Sequence, residues 1–196
     1  MIKEKVVIEK DRIYLENDPF KVVMDIISKN LMEEYSTIVC KNKGRVLDVG
    51  FGLGYSANSI YSKVGNYTCI EGNPQIYQKA LDWAADKNNV NILFGDWVNV
   101  IPLLNEKFDG IFMDTYLDDN YRKFEEFSKP IANKGCILSV YSYFDIREES
   151  ELFSKYVPIA LDERKNYYKN IEEGHTINWT VFDGKKFNGP QPFSLI

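Results

Sequence analysis

Short apolar segments rich in β-branched residues alternate with longer amphipathic segments from residue 45 onwards. The short segments are "RVLDVGF", "YTCIEG", "VNILFGD", "FDGIFMD" and "CILSVYSYF", and apolar residues recur at helical spacing between them. Strands that alternate with helices form right-handed crossovers and a mostly parallel sheet with helices on both faces. The sequence therefore predicts an α/β, Rossmann-like, doubly wound fold.

The C-terminal part of the chain departs from this alternation. "TINWTVFDGKKF" contains two β-rich stretches around Asp183 and Gly184, a dipeptide typical of type I′ hairpin turns. We therefore expect a seven-stranded sheet that is mostly parallel and ends in an antiparallel C-terminal edge hairpin. Since no linker or repeat interrupts the pattern, residues 1–196 are interpreted as a single domain.

The N-terminal part also differs from the alternating region. "KVVIEKDRIYL" predicts a small hairpin around Lys10 and Asp11, and residues 19–40 predict one or two helices. These elements precede the first parallel strand. We expect residues 1–44 to form a lid over a core of residues 45–196.

Composition narrows the classes of function. The formal net charge is −5 and no basic block appears, which disfavours a nucleic-acid partner. Cys40, Cys69 and Cys136 are far apart and His175 is the single histidine, so no metal site is expected. Neither a secretory signal nor a membrane span is expected, and a reduced, cytoplasmic protein is predicted.

Three glycines follow the first predicted parallel strand, in "VLDVGFGLGYSANSI". Gly50, Gly52 and Gly54 form a G-x-G-x-G pattern, which allows a sharp turn and a close approach of the backbone to a ligand. Asp48 lies two residues before the first glycine. A carboxylate there would repel a pyrophosphate and would favour a cationic or amino-bearing ligand.

Acidic residues also end the next two predicted strands. Glu71 can accept hydrogen bonds from both hydroxyls of a ribose. Asp96 can accept a hydrogen bond from the amino group of a base, and Trp97 can stack on the ring of that base. Each feature also has a structural alternative: the glycines can form only a tight turn, Glu71 can be a solvated strand end, and Trp97 can be a core aromatic residue. Because ligands bind at the carboxyl ends of parallel strands, the set of acids indicates S-adenosyl-L-methionine as cofactor.

The segments "GRVLDVGFGLG", "IEGNPQIYQKALDWA" and "KFDGIFMDTY" resemble the class I S-adenosylmethionine-dependent methyltransferases. The most similar branch is that of guanidinoacetate N-methyltransferase and the arginine N-methyltransferases. This resemblance implies that two methionines on a helix ahead of the first strand close over the cofactor. The cofactor-binding residues that it implies are Met24, Met32, Asp48, Gly50, Phe51, Gly52, Leu53, Gly54, Tyr55, Glu71, Gly72, Asn73, Gly95, Asp96 and Trp97.

The D-T-Y element of this branch begins at Asp114, after the fourth parallel strand. The resemblance implies that Asp114 holds the acceptor beside the transferred methyl group, and a carboxylate there can also take the proton of the attacking nitrogen. The alternative is an acid that caps the next helix. Asp118 and Asp119 add negative charge nearby. The predicted substrate residues are Asp25, Ser28, Asp114, Tyr116 and Tyr141.

The segment "VMDIISKNLM" departs from the V-M-x-x-W-E-x-P-x-M pattern of the guanidino-methylating branch. Ile27, Ser28 and Asn30 replace the Trp, Glu and Pro. A guanidinium favours bidentate carboxylate contacts, which Ser28 does not provide. We therefore expect a small-molecule methyl acceptor that is either an amine or a guanidino compound.

Two other functions fit the same residues. An aminopropyltransferase of the spermidine synthase kind would use the acid-rich "DTYLDD" element, and a module that only binds the cofactor would explain the change at Ser28. The sequence leaves the oligomeric state open, a homodimer included.

Overall fold

The computed structural model describes residues 3–116, 118, 120, 123–141 and 179–191. The strands are β1 (Val6–Ile8), β2 (Arg12–Leu15), β3 (Asp18–Asp25), β4 (Arg45–Val49), β5 (Asn66–Glu71), β6 (Val90–Phe94), β7 (Phe108–Met113), β8 (Ala132–Val140), β9 (Trp179–Phe182) and β10 (Phe187–Gln191). The α-helices are α1 (Lys29–Val39), α2 (Tyr55–Ile60), α3 (Pro74–Ala84), α4 (Trp97–Val100) and α5 (Phe124–Ser128). Short 3-10 helices span Ile26–Ser28, Ile101–Leu103 and Lys129–Ile131.

The main sheet has the strand order β10-β9-β8-β7-β4-β5-β6. Strands β4 to β8 pair in parallel, whereas β9 pairs antiparallel with both β8 and β10. The predicted Rossmann-like sheet with an antiparallel edge hairpin is therefore confirmed. After β6 the chain returns to the other side of β4, which makes the carboxyl ends of β4 and β7 the point where ligands bind in such sheets.

Helix α3 begins where the local sequence predicts. The side chain of Asn73 accepts hydrogen bonds from the backbone N–H groups of Gln75 and Ile76, at 3.0 and 3.2 Å. Pro74 occupies the first turn, where its missing N–H leaves no bond unmade. This cap fixes the start of α3 directly after the carboxyl end of β5.

The N-terminal segment forms a three-stranded antiparallel sheet rather than a hairpin followed only by helices. The predicted hairpin is present, but residues 18–25, which overlap the predicted helical region of residues 19–40, form β3 and pair with β2. The register places Met24 opposite Ile13, which is fully buried. The helix prediction for this segment is wrong because its backbone pairs with β2, and α1 starts only at Lys29.

The small sheet packs against the main domain through shared apolar and polar contacts. Val6 and Ile13 belong to the same buried cluster as residues of α1 and α2. The side-chain amide of Gln75 makes two hydrogen bonds with the backbone of Val6, both of 2.8 Å, and Asn73 donates to the carbonyl of Glu4. The start of α3 therefore anchors β1. No helix in the described ranges has the length and apolar character needed to cross a membrane.

Candidate active site

A cavity lies at the carboxyl ends of the central strands and under the N-terminal sheet. Residues from the predicted cofactor set and from the predicted acceptor set meet in its wall. The lining residues are Val23, Met24, Gly50, Gly52, Glu71, Ile76, Asp114, Thr115 and Tyr116. Residues predicted for cofactor binding and residues predicted for acceptor binding therefore line one cavity.

The glycine turn after β4 is shaped by close approaches within the protein. Gly50 and Gly52 have φ angles of 100° and 52°, which favour glycine. A Cβ atom at Gly50 would lie 1.9 Å from the carbonyl oxygen of Asp114, and one at Gly52 would lie 2.6 Å from Sδ of Met24. The sequence could not show that backbone and a thioether approach these glycines.

Glu71 connects the glycine turn to the start of α3. One carboxylate oxygen accepts from the N–H of Phe51 at 2.9 Å, and the other accepts from the N–H of Asn73 at 2.7 Å. Burial raises the pKa of Glu71, and backbone hydrogen bonds from Asn73 and Phe51 oppose this rise. Glu71 thus positions the turn, and it also lines the cavity.

Asp48 is fully buried at the end of β4. Its Oδ2 accepts hydrogen bonds from the hydroxyls of Ser56 and Tyr67, both at 2.8 Å, while its buried Oδ1 has no hydrogen-bond partner in the described part of the chain. Burial raises its pKa to about 7, and the two hydroxyls oppose this rise. The negative charges of Asp114 and Glu71 raise it further.

Asp114 follows β7 and is half-buried in the cavity wall. Its N–H donates to the carbonyl of Val49 at 2.9 Å, which holds the ends of β7 and β4 together. Thr115 and Tyr116 continue the wall beside it. This arrangement places the D-T-Y element at the switch point of the sheet, next to Gly50.

The carboxylate of Asp118 is hydrogen-bonded within the protein. Its carboxylate accepts hydrogen bonds from Nε1 of Trp97 at 2.5 Å and from the N–H of Asn120 at 2.9 Å. Thr115 contacts it more weakly, at 3.4 Å. The negative charge that Asp118 adds is therefore met by neutral donors within the protein, and Asp119 lies outside the described residues.

Two predicted cofactor contacts belong to the hydrophobic core. Trp97 has no exposed surface and packs edge-on against Phe124 and Phe127, so its ring is not available to stack on a base. Met32 is 1% exposed and lies in the cluster around α1 rather than over the cavity. Met24 does line the cavity, although it lies on β3 and not on the predicted helix.

Three predicted substrate residues do not line the cavity. Ser28 is buried and donates to the carbonyl of Asp25 at 2.8 Å, and the Asp25 carboxylate accepts from the N–H of Ile27 at 3.1 Å. Both contacts close the 3-10 turn that precedes α1. Tyr141 packs edge-on against Tyr35. Asp25, Ser28 and Tyr141 therefore have structural contacts away from the cavity lining, and their role in acceptor binding stays a prediction.

The remaining predicted cofactor residues do not line the cavity. Phe51 packs against Trp83, and Asp96 caps α4 by accepting from the N–H of Val98 at 3.2 Å. Gly95 has a φ of 142° and lies close to Val100. Besides Met32 and Trp97, the predicted cofactor residues outside the lining are Asp48, Phe51, Leu53, Gly54, Tyr55, Gly72, Asn73, Gly95 and Asp96.

Val23, Ile76 and Thr115 line the cavity and were absent from the predicted sites. Val23 and Thr115 are sequence neighbours of predicted residues, so their positions could have been inferred. Ile76 lies in the first turn of α3, directly after the Asn73 cap, and only the docking of the N-terminal sheet makes that turn part of a cavity wall.

The acids of this region fit a cationic nucleoside better than an anionic one. Asp48, Glu71 and Asp114 lie close enough for the charges of the last two to raise the pKa of the first, and one buried oxygen of Asp48 lacks a donor. A positively charged ligand would reduce this repulsion. The described residues contain no group of three or more His, Cys, Asp or Glu side chains placed to hold a metal ion.

Comparisons with known proteins agree with this arrangement. A family model for guanidinoacetate N-methyltransferase matches residues 16–159. Protein arginine N-methyltransferase 2 of Saccharomyces cerevisiae is 27% identical over 130 residues, which cover 63% of this chain and 30% of the relative. The chain thus spans less than a third of that relative's length.

Solved structures with this architecture have low sequence identity and support the fold alone. A spermidine synthase in complex with a transition-state analogue is 14% identical, with a TM-score of 0.52 and coverage of 66% of this chain and 48% of that chain. A putative caffeoyl-CoA O-methyltransferase from Staphylococcus aureus is 20% identical, with a TM-score of 0.51 and coverage of 76% and 74%. Since the family model spans most of the chain, the protein belongs to the guanidinoacetate N-methyltransferase family of class I S-adenosylmethionine-dependent methyltransferases.

Proposed function

We propose that the protein transfers a methyl group from S-adenosylmethionine to a nitrogen atom of a small acceptor, an amine or a guanidino compound. The observation that carries the proposal is that Asp114 lines the same cavity as Gly50, Gly52 and Glu71. An acid suited to bind a cationic nitrogen therefore lies next to the turn and the strand-end acid that suit a nucleoside cofactor.

The cofactor supplies an electrophilic methyl group on a sulfonium. Glu71 is the residue suited to accept hydrogen bonds from ribose hydroxyls, since its carboxylate lines the cavity and each oxygen retains further acceptor capacity. Asp48 favours positive charge near the glycine turn. Met24 and Val23, on β3, line the cavity on the side of the N-terminal sheet.

Asp114 is proposed to bind and orient the acceptor. A cationic acceptor must lose a proton to expose the lone pair that attacks a methyl group, and a carboxylate within hydrogen-bond reach can accept that proton. Correct placement of the two reactants contributes more, up to roughly 7–11 kcal/mol in favourable cases. The bond between the N–H of Asp114 and the carbonyl of Val49 fixes the backbone from which this carboxylate extends.

Position 28 bears on the class of acceptor. The guanidino-methylating pattern has a Glu here, whereas the hydroxyl of Ser28 is buried and engaged with the backbone of Asp25. This contact leaves Asp114 as the cavity acid that faces the acceptor, together with the ribose-binding candidate Glu71. A primary or secondary amine needs one such carboxylate, so we place amines ahead of guanidines.

The proposal is tested with purified protein, labelled S-adenosylmethionine and separate panels of amines, guanidines and amino acids. Formation of S-adenosylhomocysteine with a mass gain of one methyl group on the acceptor supports the proposal. Methylthioadenosine as product would instead show aminopropyl transfer. Cofactor binding without turnover on any panel would indicate a non-catalytic binding module. The hydrogen bonds of Asp118 with Trp97 and Asn120 give the acid-rich segment a structural use, which weakens the aminopropyltransferase alternative.

A further inference from the structure

Side chains from two other elements hold the backbone on both sides of Leu53 in the glycine turn. The N–H of Leu53 donates to Sδ of Met24 at 3.1 Å, and the carbonyl of Leu53 accepts from Nζ of Lys79 at 2.8 Å. The flanking residues Gly52 and Gly54 have φ angles of 52° and 86°. Within the turn, the N–H of Gly54 donates to the carbonyl of Phe51 at 2.8 Å. Because glycines rotate with little steric resistance, the two external contacts add to this internal bond in fixing the orientation of the peptide groups.

Lys79 makes its polar contacts with this turn. Its ammonium group is half-buried and lies 5.2 Å from the centroid of the Phe51 ring. Burial lowers its pKa, and no ion pair with a carboxylate offsets the loss of water among the described residues. The hydrogen bond with Leu53 and the contact with Phe51 are the interactions that stabilise its charge.

We propose that Lys79 is a positioning residue, which acts through the carbonyl of Leu53 to hold the glycine turn in the conformation that receives the cofactor. This inference rests on the proposed function. Gly50 and Gly52 line the cavity, so rotation of the neighbouring peptide groups would displace its wall. Lys79 does not line the cavity and contacts no reacting group.

The test compares binding of S-adenosylhomocysteine by calorimetry to the wild-type chain and to Lys79→Met and Lys79→Arg. Methionine keeps an apolar side chain of similar length but removes the charge and the donor, and we expect the dissociation constant to rise about tenfold. Arginine keeps both and is expected to bind within about threefold of wild type. In turnover assays the KM for the cofactor rises in Lys79→Met, while kcat at saturating cofactor stays within about twofold.

Lys87→Met provides the matched control. Lys87 is also half-buried, donates to a backbone carbonyl, that of Trp83, and lies over an aromatic ring, but it does not contact the glycine turn. Its substitution is expected to leave the dissociation constant unchanged. Unchanged binding in Lys79→Met, equal weakening in Lys87→Met, or binding by Lys79→Arg as weak as that by Lys79→Met would overturn the inference. Absence of binding by the wild-type chain would overturn the proposed function itself.

Discussion

The hydroxyl of Tyr67 on β5 donates to Oδ2 of Asp48 on β4 at 2.8 Å, in a region where neither side chain reaches solvent. Ser56 donates to the same oxygen. The other oxygen, Oδ1, has no donor in the described part of the chain. A buried carboxylate with one satisfied oxygen holds a proton more tightly than an exposed one, and burial raises the pKa of Asp48 to about 7.

This shift predicts how stability depends on pH. Between the ordinary pKa of 3.8 and about 7, Asp48 is protonated in the folded chain and ionised in the unfolded chain. Its contribution to the free energy of unfolding is therefore fully present below pH 3.8 and is lost as pH rises through about 7. The loss is up to about 4 kcal/mol. Urea unfolding of the cofactor-free protein at pH 5 and pH 8 measures the part of this loss that falls above pH 5, about 3 kcal/mol.

Asp48→Asn is the control for this prediction. Asparagine keeps an oxygen for Ser56 and Tyr67 and removes the titration, so the pH dependence should become shallower. The pH dependence that remains belongs partly to Glu71, because burial raises the pKa of this residue as well. If the Asn variant showed the same difference between pH 5 and pH 8 as wild type, Asp48 would not be the titrating group.

Asp114→Asn tests the proposed catalytic acid. The amide keeps the size of the side chain but cannot accept the acceptor's proton, so we expect kcat to fall by at least about 100-fold. The dissociation constant for S-adenosylhomocysteine should stay within about threefold. Steady-state kinetics and calorimetry provide the two measurements. Asp82→Asn, on the exposed side of α3, serves as the control and should retain full activity; normal turnover in Asp114→Asn would remove the assignment.

Gly50→Ala and Gly135→Ala separate steric contact from backbone strain. Both glycines have positive φ angles, 100° and 89°, but a Cβ at Gly50 would lie 1.9 Å from the carbonyl oxygen of Asp114, whereas one at Gly135 meets no atom within 4 Å. Gly135→Ala should lower the free energy of unfolding by about 1–2 kcal/mol. Gly50→Ala adds a backbone clash and should lower it by more than about 3 kcal/mol. Equal losses in denaturant titrations would show that the clash is relieved.

Trp97→Phe tests the assignment of this residue to the core. The change removes the hydrogen bond with Asp118 and leaves a gap between Phe124 and Phe127, so we expect a loss of about 2–4 kcal/mol in the free energy of unfolding. Binding of S-adenosylhomocysteine should change less than twofold at a temperature where the variant is folded. A variant of normal stability with tenfold weaker binding would instead support a ring contact with the cofactor.

Features coded by adjacent residues were predictable from the sequence. Asn73 and Pro74 indicate where α3 starts, and the dipeptide Asp183-Gly184 indicates the edge hairpin, because caps and turns depend on a few consecutive residues. The predicted type I′ turn is wrong, since the loop spans residues 183–186 and Asp183 does not have the positive φ that such a turn needs. The alternation of apolar strands with amphipathic helices similarly predicted the parallel sheet. The position of Asp114 at the switch point follows from that topology.

Features that depend on distant partners were not predictable. The segment of β3 contains apolar residues at spacings that also suit a helix, and only its pairing with β2 makes it a strand. A tryptophan beside a strand-end acid can stack on a ligand or fill the core, and Trp97 does the second because Asp118 and Phe124 meet it from other elements. The contact between Gly50 and Asp114 joins residues far apart in sequence.

The side-chain amide of Gln75 binds Val6 as a neighbouring strand would, with one donor and one acceptor. These two hydrogen bonds attach the first turn of α3 to β1, the edge strand of the small sheet. Ile76, the residue after Gln75, lines the cavity. An outward movement of β1 would therefore act on the cavity wall through Gln75. A movement of β1 away from the main domain is therefore expected to displace Ile76 as well.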